Sequence, residues 1–188
     1  MLFNRLSQKA DEDLMRLVQG GSERALTELY RRYSQRLLRY FFRMLWREEE
    51  KAQDFLHDLF LRIIERPAMF DVDRRFSTWI YSVAFNMCKN EYRKQAIAKA
   101  HHGQVKVNGS HETEQPDLDH REFQKRLERV LEAEEDDKNL FVLRYELELS
   151  LAEIAAILNC PEGTVKSKLF YLKKRLSQRL QVYNPAFN

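Results

Sequence analysis

Glycine and proline are scarce in this chain of 188 residues, with 5 and 4 copies. Sheets joined by tight turns need more of both, so the shortage points to helices. Only two cysteines occur, Cys88 and Cys160. They form no CxxC pair, which excludes a disulfide framework and the common zinc modules. No apolar run approaches the ~20 residues that a membrane-spanning helix requires. The first residues, MLFNRLSQKADED, lack the apolar region and small-residue cleavage site of a signal peptide. The expected compartment is the cytoplasm, with no membrane insertion.

What is present is a helix-forming, charged chain: 44% hydrophobic and 32% charged, enough apolar residue for a core and too much for wholesale disorder. The net charge of +3 averages over unlike segments. Residues 1–95 hold 18 Lys and Arg against 14 Asp and Glu, and residues 151–188 hold 6 against 2. Between them, residues 96–120 hold 2 against 4, and residues 121–150 hold 6 against 9. Two basic blocks flank an acidic middle, which suggests a polyanion touched at two places.

Helical periodicity predicts four N-terminal helices. Asp11 can cap a short one that ends at Gly20-Gly21, and Ser22 can cap a longer one to about Trp46. A third is expected from about Glu48 to Arg66, before Pro67, and a fourth from about Ser77 to Lys94. Met69–Arg75 has no helical period and reads as a loop. Ala96–Asp119 holds Gly103, Gly109, Pro116 and little apolar content, so a flexible linker is expected there. Helical pattern resumes near Asp119 and passes Glu146 with a break near Glu135–Asp137. The resulting expectation is an all-α chain of two small helical domains, residues 1–95 and 120–183, joined by a linker over 96–119.

The stretch SLAEIAAILNCPEGTVKSKLFYLKKRL opens on a capping box, Ser150 with Glu153, and turns at Asn159-Cys160-Pro161. A short capped helix, a tight turn and a basic helix make a helix-turn-helix, whose second helix enters the major groove of DNA. On that second helix Val165, Leu169, Leu172 and Leu176 share an apolar stripe. Lys166, Ser167, Phe170 and Lys174 fall opposite, an aromatic among cations, which suits contact with base edges between phosphate clamps.

Two N-terminal stretches carry chemistry of their own. In DFLHDLFLRIIER, Phe55, Leu56, Leu59, Phe60, Ile63 and Ile64 form a wide stripe expected to be buried. Asp54, His57, Asp58, Leu61 and Glu65 face the other way, and a leucine on an acidic face suits docking of a basic partner helix. In FDVDRRFSTWIYSVAFNMCKNEYRK, the aromatics Phe70, Phe76, Trp79, Tyr81 and Phe85 alternate with Arg74, Arg75, Lys89, Arg93 and Lys94. Stacking platforms beside cations serve unpaired bases and their phosphates. Several of these rings, Trp79 above all, are also needed for the core.

Taken in order, the AxxELYxRY-like stretch Ala25–Tyr33, DFLHDLFLRI, FSTWIYSVAFNMCKNEYRK and LSLAEIAAILNCPEGTVKSKL resemble a bacterial RNA polymerase sigma factor of the extracytoplasmic-function type. The likeness covers almost the whole chain, and the absence of a middle domain fits it. The resemblance implies a promoter-melting domain over Asp11–Lys94 and a domain binding the minus-thirty-five element over about Asp119–Val182. It also implies partners: core RNA polymerase, through the clamp helices of its largest subunit and the flap of its second-largest, promoter DNA, and an anti-sigma factor. Asp54, Asp58 and Leu61 match the face that grips the clamp helices, and His57 stands where the family usually has Gln. The loop Phe70, Asp71, Val72, Asp73, Arg74, Arg75, Phe76 matches the one that captures a base flipped from the minus-ten element. Asn86, Lys89 and Arg93 match the helix that reads and holds that element. Lys166, Ser167, Phe170 and Tyr171 match positions facing the minus-thirty-five major groove, with Lys174 beside them; Tyr171 stands where Arg is frequent. Glu112, Glu114, Asp117 and Asp119 of the linker would lie near the template-strand and RNA-exit path.

Two other readings use the same residues. A stand-alone helix-turn-helix regulator would share the C-terminal domain, but it leaves the aromatic-basic helix and the acidic face with Leu61 unexplained. A metal enzyme could draw on His101, His102, His111 and His120, but these stand in a Gly-containing segment with no supporting shell. Asp54 and Asp58 share a face with no nucleophile or phosphate-cradling loop nearby. No cofactor, metal or catalytic residue is expected, because the chemistry of initiation belongs to the polymerase.

Overall fold

The computed structural model describes residues 6–102, 118–132 and 135–180, and among them every regular element is helical. These residues belong to two compact units, 6–102 in the first and 118–132 with 135–180 in the second.

In the first unit, α1 spans Asp11–Gln19, α2 Glu23–Met44, α3 Glu49–Glu65 and α4 Phe76–His102, with a short 3-10 turn at Pro67–Met69. Asp11, Glu12 and Asp13 fill the first turn of α1, where the helix dipole favours anions. Asp11 was expected as its cap, but Ala10 holds that position and Asp11 is the first helical residue. Its carboxylate is taken by tertiary partners instead, accepting from Arg32 Nη1 at 2.5 Å and from the Tyr33 hydroxyl. The turn at Gly20-Gly21 requires glycine, since Gly21 has φ +84°. Ser22 caps α2 as expected, its side chain accepting from Ala25 N at 3.3 Å.

Helix α2 stops at Met44, two residues before the expected end. Trp46 and Arg47 both adopt left-handed φ, 55° and 61°, which turns the chain sharply into α3. Packing supports this unfavourable backbone. The Trp46 ring lies 4.8 Å from that of Tyr92, Lys51 Nζ sits 5.0 Å above it, and the Tyr92 hydroxyl donates to Met44 O. Lys51 also pairs with Glu91 at 2.7 Å; burial pushes that carboxyl up, but the ammonium outweighs it and holds Glu91 below the usual range.

The core of this unit is built from Leu14, Met15, Leu29, Leu37, Phe41, Leu59, Phe76 and Ile80, each at most 0% exposed. Helix α4 differs from expectation at its far end: it runs through His102, seven residues into the segment expected to be linker. Ala96-Ile97-Ala98-Lys99-Ala100 are good helix formers, and no glycine or proline interrupts them before Gly103.

In the second unit, α5 spans Leu118–Glu132 and α6 Glu135–Phe141, followed by a π-turn at Val142–Glu146, α7 at Leu151–Leu158 and α8 at Glu162–Arg179. The capping box is complete: Glu153 N donates to Ser150 Oγ at 3.2 Å, and Ser150 N donates to Glu153 Oε2 at 2.9 Å. Asn159 takes the left-handed conformation at the end of α7, φ 51°, which lets the chain turn into α8. Leu140, Leu143, Ile154, Ile157, Val165, Leu169 and Leu172 form the core.

Candidate functional site

Helix α8 presents two faces of opposite character. Val165, Leu169 and Leu172 are buried as the periodicity predicts, and Leu176 is half-buried. Lys166, Ser167, Phe170, Tyr171 and Lys174 are all exposed. Phe170 is 63% and Tyr171 56% exposed, with ring centroids 5.5 Å apart. Ser167 Oγ donates to Gly163 O at 3.0 Å, so its proton is used within the helix and its lone pairs remain for a donor. Not every cation of this basic helix is available to a ligand. Lys168 pairs with Asp136 at 2.9 Å, and Arg175 makes a bidentate pair with the buried Asp137, which fastens α8 to α6. Charge counting along the sequence cannot separate such fasteners from free clamps.

Helix α3 buries Leu56, Leu59, Phe60 and Ile63 and exposes Asp54, His57, Asp58 and Leu61. Ile64, expected inside, is 55% exposed and joins Leu61, 49% exposed, on the outer surface. The apolar stripe is wider than the contact that α2 offers, so its edge residue is left out. With Leu26, Thr27 and Tyr30 of α2, the residues His57, Asp58, Phe60, Leu61 and Ile64 line an open groove of about 420 Å³. The α2 wall of this groove escaped sequence reading because periodicity examines one helix at a time. Its one local signal is Tyr30, 39% exposed, whose ring packs 4.8 Å from Phe60.

The segment 70–76 divides sharply. Phe70 and Phe76, expected among the contacts to an unpaired strand, are 2% and 0% exposed. Their rings meet edge to face at 5.3 Å, and Trp79, half-buried, packs 5.2 Å from Phe70 and 5.7 Å from Phe76. Two large apolar rings flanking a five-residue loop bury more surface as its floor than they could as its tip. The exposed members are Asp71, Asp73, Arg74 and Arg75, with Val72 half-buried. The loop is internally ordered: Asp71 Oδ1 accepts from Asp73 N at 3.1 Å, and Asp71 O accepts from Arg74 N at 3.0 Å.

Beyond it on α4, Asn86, Lys89 and Arg93 are exposed, and their spacing of three and four sets them along one face. Lys89 Nζ lies 5.9 Å from the centre of the half-buried Phe85 ring. Tyr81 is buried, and burial pushes its phenol up. Of the histidines considered as ligands, His101 and His102 are the last residues of α4 and His120 lies in α5, while His111 is outside the described residues. Glu112, Glu114 and Asp117 also lie outside them.

Comparison with known proteins agrees with this layout. Sigma-70 region 2 matches residues 29–97, and Sigma-70, region 4 matches residues 126–176. The chain therefore belongs to the sigma-70 family of bacterial transcription initiation factors. Within that family it is of the extracytoplasmic-function type. It is 28% identical to the extracytoplasmic-function RNA polymerase sigma factor SigW of Bacillus subtilis, over 87% of this chain and 93% of the relative. In three dimensions it is similar to CnrH, solved in complex with the cytosolic domain of CnrY, with a TM-score of 0.69, 21% identity, and 94% of this chain and 100% of the other covered. It is also similar to the sigma factor RpoE of Bartonella quintana, solved with the anti-sigma factor NepR, with a TM-score of 0.62, 22% identity, and 78% and 91% covered. The protein is an initiation factor that works with core RNA polymerase and promoter DNA, and it is not itself an enzyme.

Proposed function

We propose that the surfaces described above divide promoter recognition among them. The groove of α2 and α3, with Asp54, His57, Asp58 and Leu61, docks on the basic clamp helices of the polymerase's largest subunit. The loop residues 71–75 take a flipped base of the minus-ten element, over the floor of Phe70 and Phe76, while Asn86, Lys89 and Arg93 hold the unpaired strand. Lys166, Ser167, Phe170, Tyr171 and Lys174 read the minus-thirty-five element as duplex, with the second unit seated on the flap of the second-largest subunit. The working domains extend to the ends of their helices, through His102 on one side and from Leu118 on the other, and the chain between them is the tether. The protein acts in the cytoplasm, where polymerase and chromosome are.

The observation that carries this reading is the exposed Phe170-Tyr171 pair, set between Lys166 and Lys174 opposite a buried apolar stripe. Folding leaves more than half of each ring in solvent, and a base edge or thymine methyl would cover it. An anti-sigma factor, the kind of partner with which RpoE was solved, would act on this chain by covering the apolar groove at Leu61 and Ile64.

A test separates the two DNA surfaces. Lys166→Ala should weaken duplex binding by about 1–3 kcal/mol. Asn86→Ala should leave that step intact and slow opening, because extruding a base costs a few kcal/mol that pocket contacts must recover. On promoters selected from a random library, a pre-melted bubble should rescue Asn86→Ala and leave the Lys166→Ala defect. Equal rescue of both, or of neither, rejects the division.

A further inference from the structure

The loop 71–75 is held at both ends by one helix that the sequence pattern did not connect with it. On α1, Glu12, Arg16 and Gln19 follow a spacing of four and three and so share a face. Gln19 Nε2 donates to two carbonyls at the loop's entry, Pro67 O at 3.1 Å and Phe70 O at 2.9 Å. Glu12 Oε1 accepts from Phe76 N at 2.8 Å, at the loop's exit and the first turn of α4. Arg16 Nη2 makes a longer 3.5 Å contact with Val72 O between them. The adjacent face of α1, Leu14, Met15 and Val18, is buried, which anchors the helix itself. The entry and exit backbone groups are thus satisfied by side chains 48 to 64 residues earlier in the chain.

We infer that α1 is a mould for the loop, with Glu12 and Gln19 as positioning residues that fix residues 71–75 in the shape that accepts an unpaired base. The inference rests on the loop's proposed role in reading the minus-ten element. A five-residue loop left to itself would occupy many conformations, and a base pocket assembled from it would lose selectivity to that freedom. Pinning both ends removes the freedom without occupying the exposed side chains. Glu12 also places an acceptor on an α4 N–H that has no partner within its own helix, which fixes where the helix bearing Asn86, Lys89 and Arg93 begins.

The experiment uses holoenzyme reconstituted with core polymerase and a labelled single strand recovered by wild-type holoenzyme from a random library. Its readout is the affinity ratio between that strand and the same strand with the captured base changed. Glu12→Ala and Gln19→Glu should each lower the ratio about fivefold, the equivalent of one hydrogen bond. Glu12→Gln keeps an acceptor, and Gln19→Lys keeps a donor; both should restore the ratio. Affinity for a duplex minus-thirty-five fragment should not change, and the amides of residues 71–76 should exchange faster only in the first two variants. The loop variants Asp73→Ala and Arg74→Ala serve as the reference. If these lower the ratio while Glu12→Ala and Gln19→Glu do not, the mould is rejected and the loop's role stands. If the loop variants also leave it unchanged, the loop's role falls and the inference falls with it. A loss that tracks melting temperature and is not restored by Glu12→Gln or Gln19→Lys is structural only, and overturns the inference.

Discussion

The two units use aromatic residues beside cations in opposite ways. In the first, Phe70, Phe76 and Tyr81 turn inward, and the exposed positions around them are polar or charged. In the second, Phe170 and Tyr171 face outward, while the core is filled almost wholly by Leu, Ile and Val. The patterns look alike on paper, an aromatic every few residues among Lys and Arg. What separates them is the volume to be filled. Helices α1 to α4 surround a space that needs large rings, which meet edge to face at 5 to 6 Å. Helix α8 crosses short partners whose contact is already closed by Val165, Leu169 and Leu172, so its rings are left in solvent. An aromatic-basic pattern is therefore evidence of nucleic-acid contact only after the core has taken its share.

The strongest way to break this contrast is to truncate one ring of each kind. Phe76→Ala should cost about 3–5 kcal/mol, because it opens a cavity at a fully buried position. Phe170→Ala should change stability by less than about 0.5 kcal/mol while weakening duplex binding. Calorimetry on both variants, with anisotropy on minus-thirty-five DNA in holoenzyme, checks it. A destabilised Phe170→Ala would mean that ring is core after all.

The groove gives the next largest effect. Leu61→Arg places a cation against the proposed clamp contact, which should cost several kcal/mol of polymerase association. Helicity and melting temperature should barely move, since Leu61 is 49% exposed. Co-elution with core enzyme at wild-type yield would remove the groove from the interface.

Capping tests the second unit's local design. Ser150→Ala removes one half of the capping box and leaves Glu153 without its hydroxyl partner, so about 1 kcal/mol should be lost from the helix-turn-helix alone. The first unit's melting should be unaffected.

The smallest effect is a pH dependence confined to the first unit. Hydrogen bonds from Arg31, joined by Arg32, hold the Glu28 carboxyl down to about 2, against an ordinary value of 4.5. A depressed folded value gives stability that is fully present above the unfolded one and is lost as pH falls towards the folded one. Glu28→Gln should lower stability at neutral pH by at most about 1 kcal/mol, as for other solvent-screened pairs. The gap between mutant and wild type should close between pH 4.5 and about pH 2. Urea titrations at several pH values measure it.

Much of this molecule is legible in its sequence, and for local reasons. Helix starts at Ser22 and Ser150, the stops at Gly20-Gly21 and before Pro67, and the stripe Val165, Leu169, Leu172 depend on neighbours within one or two turns. Short-range sterics and hydrogen bonding decide such features, so sequence order alone contains them. The order of the four motif stretches likewise carried the family. What needed the tertiary structure is everything that depends on which groups compete for the same space or partner. Asp11 left its expected cap role because Arg32 and Tyr33 offered its carboxylate stronger bonds. Phe70 and Phe76 became a floor because the first unit's core had room for them. Ile64 was left outside because the space between α2 and α3 beside it stays an open groove. Lys168 and Arg175 were withdrawn from the basic face by Asp136 and Asp137. Glu12 and Gln19 met the loop they hold only when the chain had folded back over some fifty to sixty residues. Periodicity records which face a residue occupies; it carries no information about what stands opposite that face, and contact across the fold is what assigned these residues their work.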